Sequence, residues 1–311
     1  MRNPPGQAST GGGMLRDMPG PLPAIAVLAA FFGLAAMDAI IKSLTEAFHV
    51  AHIVAFRYAF GALAALPFFL AARGPRLTPE IMRQSGLRAV LVVITAASFF
   101  YALSIIPLGE ATALAFTAPL FVVVFARILL GEPIPGIAIL SILLGLGGVA
   151  VMVWRDLAVL DFGSNAVLGA GLVLLAAVGS SLVMVLTRLH SLQAEASVIV
   201  FCQTVAAALL TLPLLVFTWR SMDGFDLLLF VVVGTLGSVS HIALAWGLSR
   251  ANAARLSPLE YSVLPWAILF GYLFFAEVPA HETLIGAALI VGACLLMLGR
   301  QKAGAPGLPG N

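Results

Sequence analysis

Few side chains in this chain can do chemistry. Of its 311 residues, 16 are Lys or Arg, 14 are Asp or Glu and five are His. Most of them separate long apolar runs, but Asp38, Lys42, Arg57, His241 and Glu260 fall inside such runs or at their margins. A charge in hydrocarbon is costly unless it is paired or hydrated, so each is a functional candidate. Asp38 and Lys42 lie one helical turn apart on one face, with Arg57 at similar depth in the next run. The plainer reading is a single ion-pair network at one end of a bundle. The sharper one releases Arg57 or Lys42 from Asp38 to hold an anionic group of a solute, or has Asp38 load a proton that drives a cycle. His241, Glu260 and Gln203 form a second tier. Imidazole suits proton coupling near neutral pH, although a lone His in a bundle more often serves packing, and Glu260 can simply pair with Arg255.

Enzyme chemistry finds little support. The histidines are dispersed at 49, 52, 190, 241 and 281, and HExxH, GxSxG and Asp-rich metal boxes are absent. No P-loop is present to drive an ATP-powered pump. Cys202 and Cys294 sit in apolar runs, without metal or disulfide spacing. Neither a cofactor nor a metal is expected, and a formal charge of +2 gives no footing for nucleic acid.

The elements that position these residues follow from composition. Apolar residues make up 61% and charged residues 10%, against about 25% charged in soluble domains. Ten apolar stretches approach bilayer length, at about 23–43, 51–72, 87–106, 110–130, 134–153, 166–187, 196–217, 227–248, 256–276 and 283–299. Residues 1–21 and 300–311 are Gly- and Pro-rich tails, expected to be disordered. With the N-terminus in the cytoplasm, 12 basic residues fall in inner segments and three (Lys42, Arg155, Arg220) in outer ones, with Arg57 within a span. This bias predicts that both termini are cytoplasmic, and the expected location is a bacterial inner membrane.

The halves repeat. A shift of 146 pairs Gly33 with Gly179, Lys42 with Arg188, Arg57 with Gln203, Pro67 with Pro213 and Pro119 with Pro265. A shift of 145 pairs Glu132 with Glu277, Ser104 with Ser249, Tyr101 with Trp246 and Phe116 with Tyr261. Five spans per half is an odd number, so the halves enter the membrane in opposite directions, as in inverted-repeat transporters. The expected fold is an all-α polytopic membrane protein: ten transmembrane helices in two inverted five-helix repeats, 22–154 and 165–299, around a central cavity. Pro119 and Pro265 are expected near mid-helix as hinges. Glu132 and Glu277, each close to a following Pro, are expected to hold the N-terminal amides of the next helix. Gly145, Gly147, Gly148 and Gly292 suit a scaffold or a homodimer face.

Phe56-Arg57-Tyr58, Ala118-Pro119-Leu120 through Leu130-Gly131-Glu132-Pro133, and Ser257-Pro258-Leu259-Glu260-Tyr261 through Phe275-Ala276-Glu277-Val278-Pro279 resemble the two halves of an EamA-type transporter of the drug/metabolite transporter superfamily. The resemblance spans about 23–299, and it departs from the family pattern in Arg127 and in Ala276, where a glycine is usual. It implies alternating-access movement of small organic solutes; members carry amino acids, nucleosides, riboflavin, S-adenosylmethionine and other metabolites. Arg57, Tyr58, Tyr101, Phe116, Gln203, Trp246, Tyr261 and Trp266 are the expected substrate-binding set, and Asp38, Lys42, His241 and Glu260 the proton-coupling or gating set. The aromatic members suit a planar or aromatic solute. The competing classes are an intramembrane lipid-modifying enzyme, which lacks its catalytic motifs, and a structural membrane protein, which would not need matched halves.

Overall fold

A computed structural model describes residues 22–72, 77–130, 165–190, 195–248 and 262–301, with short helical pieces between 140 and 151. Among these residues every regular element is helical: α1 (Leu22–Leu44), α2 (Val50–Ala71), α3 (Pro79–Ile105), α4 (Leu108–Ala115), α5 (Ala118–Leu130), α6 (Asn165–His190), α7 (Ala196–Thr211), α8 (Leu215–Thr218), α9 (Gly224–Leu248), α10 (Val263–Phe275) and α11 (His281–Gln301). In hydrocarbon a chain must satisfy its own backbone, and helices do so within a single segment. Local signals set the ends. The His49 ring accepts the Ala51 amide at 3.2 Å, and the Thr78 hydroxyl accepts that of Ile81 at 3.2 Å with Pro79 in the first turn.

Seven stretches among the described residues are long and apolar enough to cross a membrane, while Val263–Phe275 and His281–Gly292 are apolar but shorter. The sequence reading has ten. Its fifth span lies largely outside the described residues, as do the start of its ninth span, Glu132, Glu260 and Tyr261.

Small residues let the helices approach closely. Helix α9 lies against both α1 and α2: a Cβ on Gly33 would run into the Ser240 hydroxyl, and one on Gly234 would meet Phe60 Cβ at 2.6 Å and the Gly61 amide at 2.7 Å. The Ser238 hydroxyl donates to the Gly61 carbonyl at 2.8 Å, tying α9 to α2. Near the start of α9, Phe48, Phe56 and Phe230 surround the fully buried His52, with ring centroids 4.8–5.5 Å from it. Contacts of Gly169 with Ile106 and of Gly179 with Thr95 run α6 antiparallel to α3. Gly148 is used within the chain, packing against Gly286 and Ile290 of α11.

The prolines correct the sequence reading. Pro119 does not kink a continuous helix, being the second residue of α5; Pro265 is the third residue of α10, and the residues before Ser262 lie outside the described ones. In the first turn a missing amide costs nothing, because no carbonyl of the same helix precedes it as partner. The fourth span is instead broken between Ala115 and Ala118. The break is sealed locally: the Thr117 hydroxyl donates to the Leu114 carbonyl at 2.8 Å, and the Ser181 hydroxyl of α6 reaches the Ala118 carbonyl at 2.8 Å. Helices α5 and α10 have 13 residues each, and their first residues, Ala118 and Val263, are separated by the repeat shift of 145.

The α2–α9 contact has no room for a side chain at Gly234. Gly234→Val should destabilise the protein by about 1–3 kcal/mol, seen as a lower melting temperature in detergent, whereas Gly171→Ala, in open space, should change it little.

Candidate functional site

Helices α1, α2, α3 and α9 bring one group of side chains together. Arg57 lies seven residues into α2, about 10 Å along the helix axis from its start. Its guanidinium carbon stands 4.6 Å from the Tyr58 ring centroid and 5.7 Å from that of Phe100. Its tip lies over Gly237 of α9, where a Cβ would come within 3.4 Å of Nη2 and 3.0 Å of the Met37 sulfur. Gly237 is thus a position where absence of a side chain makes room for a cation. Asp38 of α1 and His241 of α9 both lie within electrostatic range of Arg57, yet no ion pair within 4.0 Å joins Arg57 to Asp38. The Arg57 Nε is buried without a hydrogen-bond partner. His241 shares a 2.6 Å hydrogen bond with the Gly237 carbonyl. Below Arg57, the Tyr58 hydroxyl donates to the Val92 carbonyl at 3.1 Å, so the ring that supports the guanidinium is itself fixed.

A second charged group lies at the end of the bundle where α1, α3 and α10 finish and α4 begins. The Lys42 ammonium donates to the carbonyls of Leu103 at 2.8 Å and Ile106 at 2.7 Å, and pairs with Glu277 Oε1 at 3.0 Å. Glu277 Oε2 accepts the Leu108 amide, at the first residue of α4, at 2.9 Å. The chain reaches this geometry through Ala276, which adopts a left-handed backbone with φ of 52°; the amides of Ala276 and Glu277 both return to the Gly271 carbonyl. A cavity of about 610 Å³ lies above the pair, lined by Lys42, Thr45, Glu46, Ser104, Ala276 and Glu277 among others.

These placements revise several expectations. Lys42 does not join a network with Asp38 and Arg57, because its ammonium donates to the carbonyls ending α3 and pairs with the Glu277 carboxylate. Glu277 does hold a helix N-terminus, but that of α4 rather than the next helix, α11, because the left-handed turn at Ala276 directs it across the bundle. Arg57 and His241, read as separate tiers, belong to one cluster. Phe100, not Tyr101, flanks Arg57; Phe100 is buried and Tyr101 is 44% exposed. Trp266 packs edge-on against Phe32 at 5.0 Å, and its helix neighbour Phe270 also meets Phe32. Phe116 is buried beside the break in the fourth span, and Gln203 and Trp246 are half-buried. Gly237 and Met37 were missed in the sequence, because neither residue type announces chemistry.

Comparison with known proteins defines the class. The EamA-like transporter family matches this chain twice, at residues 22–154 and 167–299. The pseudopaline exporter CntI of Pseudomonas aeruginosa is 30% identical over 286 residues, covering 90% of this chain and 96% of that protein. An S-adenosylmethionine uptake transporter of Rickettsia felis is 26% identical over 267 residues, covering 86% and 89%. A riboflavin transporter of Rhizobium johnstonii is 26% identical over 254 residues, covering 81% and 82%. A solved crystal structure, 22% identical, shares the fold with a TM-score of 0.61 over 91% of this chain and 99% of its own. The chain belongs to the EamA-like transporter family. It is a multi-pass membrane transporter of the drug/metabolite type, not an enzyme.

A left-handed alanine is strained where glycine is not. Ala276→Gly should therefore stabilise the protein by roughly 0.5–1 kcal/mol, read as a small rise in melting temperature; a fall would show that the turn carries no strain.

Proposed function

We propose that the protein is a secondary transporter that moves a small organic solute across the bacterial inner membrane by alternating access, with Arg57 as the anchor for an anionic group of the solute. The observation that carries this reading is the guanidinium itself: it lies within the bundle on two aromatic rings, its Nε lacks a partner, and Asp38 stands near without pairing. Holding such a cation unneutralised is costly, and a carboxylate or phosphate on the solute would neutralise it with charge-assisted hydrogen bonds. Asp38 offers a complementary charge for an amino group, and Tyr58 and Phe100 an aromatic wall. A solute combining an anionic group with a planar or apolar body suits these features, with aromatic amino acids, vitamin-like compounds, nucleosides and S-adenosylmethionine as the candidates to test. That relatives carry pseudopaline, S-adenosylmethionine and riboflavin in their names supports a metabolite of this size.

The architecture we infer is ten helices in two inverted five-helix repeats, with both termini cytoplasmic. Three observations support it: the basic residues follow the inside bias, α2 and α7 start 146 residues apart, and α3 and α9 start 145 apart. Asp38 and His241, both near Arg57, are the groups we assign to proton coupling.

A thermal-shift screen of the detergent-purified protein against these solutes tests the reading, because a ligand bound only by the folded state raises its stability. At least one anionic solute should raise the melting temperature, and Arg57→Ala, folded normally, should abolish the shift. A shift that persists in Arg57→Ala removes Arg57 from the site. Uptake into proteoliposomes with and without a pH gradient then tests coupling.

A further inference from the structure

Lys42 and Glu277 are not explained by solute binding. We propose that this pair is the latch that closes the transport path at its end of the bundle, making Glu277 a gating residue; the proposal rests on the transporter reading above.

Four observations lead there. The pair joins elements that belong to the two different family-matched segments: Lys42, Leu103, Ile106 and Leu108 in the first, Glu277 in the second. A carboxylate serving only to cap its own neighbouring helix would have no reason to cross. Secondly, the bonding is dense, since the ammonium donates to two carbonyls and pairs with Glu277 Oε1 while Oε2 accepts the Leu108 amide. Neither group is left for a solute, so the cluster is arranged for closure. Thirdly, the pair borders the cavity and is partly reachable, with side chains 13% and 19% exposed. Water at the cavity side can rehydrate both charges on opening, which a fully buried pair would not permit. Finally, Lys42 is one turn from Asp38 on the same face of α1, so the latch and the Arg57 cluster are carried by one rigid segment. The pair thus separates an outer cavity from the site about one helical turn deeper.

A latch and a static staple differ in what lies behind them after the pair is weakened. Met37 is buried beside Arg57 and Gly237, below the pair, and Thr45 lines the cavity above it. In a background with Cys202 and Cys294 replaced by Ser, Met37→Cys and Thr45→Cys are each labelled with sulfonatoethyl methanethiosulfonate, a membrane-impermeant thiol reagent, in spheroplasts and in inverted vesicles. The preparation in which Thr45→Cys reacts is the one that presents this end to the reagent. There, adding Glu277→Gln or Lys42→Met should speed labelling of Met37→Cys about tenfold, while Glu46→Gln, on the cavity wall outside the pair, should leave it unchanged. A third arm needs no latch substitution: raising KCl from low to molar concentration screens a partly exposed pair, and should speed labelling of Met37→Cys but not of Thr45→Cys. Flat rates in the salt series, or in either folded latch variant, overturn the proposal and leave a structural staple. This assay reads opening without any solute, and the thermal-shift screen reads solute binding without opening, so either reading can fail alone.

Discussion

The bilayer sets the constraint on which this structure depends: a polar group inside it must find its partner within the protein. Most partners are one turn away along the same helix. The hydroxyls of Thr112, Thr204 and Thr211 donate to carbonyls four residues earlier at 2.7–2.8 Å. Where the chain departs from the helix the partner is more specific, as at the break after Ala115, which Thr117 and Ser181 seal. At the end of α3, the Leu103 and Ile106 carbonyls have no helical successor and Lys42 supplies the donors. The Arg57 Nε is one of five buried side-chain atoms among the described residues without a hydrogen-bond partner, and it belongs to a cation held between two aromatic rings.

Helix α1 carries two charges of opposite sign and different fate. Lys42 is fully bonded at the end of the bundle, whereas Asp38, one turn deeper, remains near Arg57 without an ion pair. One group is therefore held by protein, while the other has no ion pair among the described residues. A transporter needs both kinds of site: contacts that close a path, and charges whose partner changes during the cycle.

The two halves share a plan but not a chemistry. Arg57 corresponds to Gln203 under the repeat shift, so one half brings a cation to the bundle where the other brings a neutral amide. Pro67 lies inside α2, whereas its counterpart Pro213 falls in a short 3-10 turn after α7 ends at Thr211. Equivalent positions in duplicated segments have thus diverged in both charge and helix continuity.

The sequence by itself determined the helical membrane class, the family, most span positions and the short roll of intramembrane charges, because these are one-dimensional signals: runs of apolar residues, repeat spacing and the placing of rare residue types. It also marked Arg57, Asp38, Lys42 and Glu277 as worth attention. Which of them meet was decided only by the tertiary structure. Residues one turn apart, such as Asp38 and Lys42, look like natural partners in a sequence, but the partner of Lys42 comes from a distant helix through a left-handed turn at Ala276. Gly237 and Phe100 became part of the Arg57 cluster only through helix packing, since a glycine's role there is the space it leaves. Pro119 was misread for a related reason: the helix break after Ala115 depends on neighbours able to satisfy the freed backbone groups, and those neighbours are fixed only when α6 is in place.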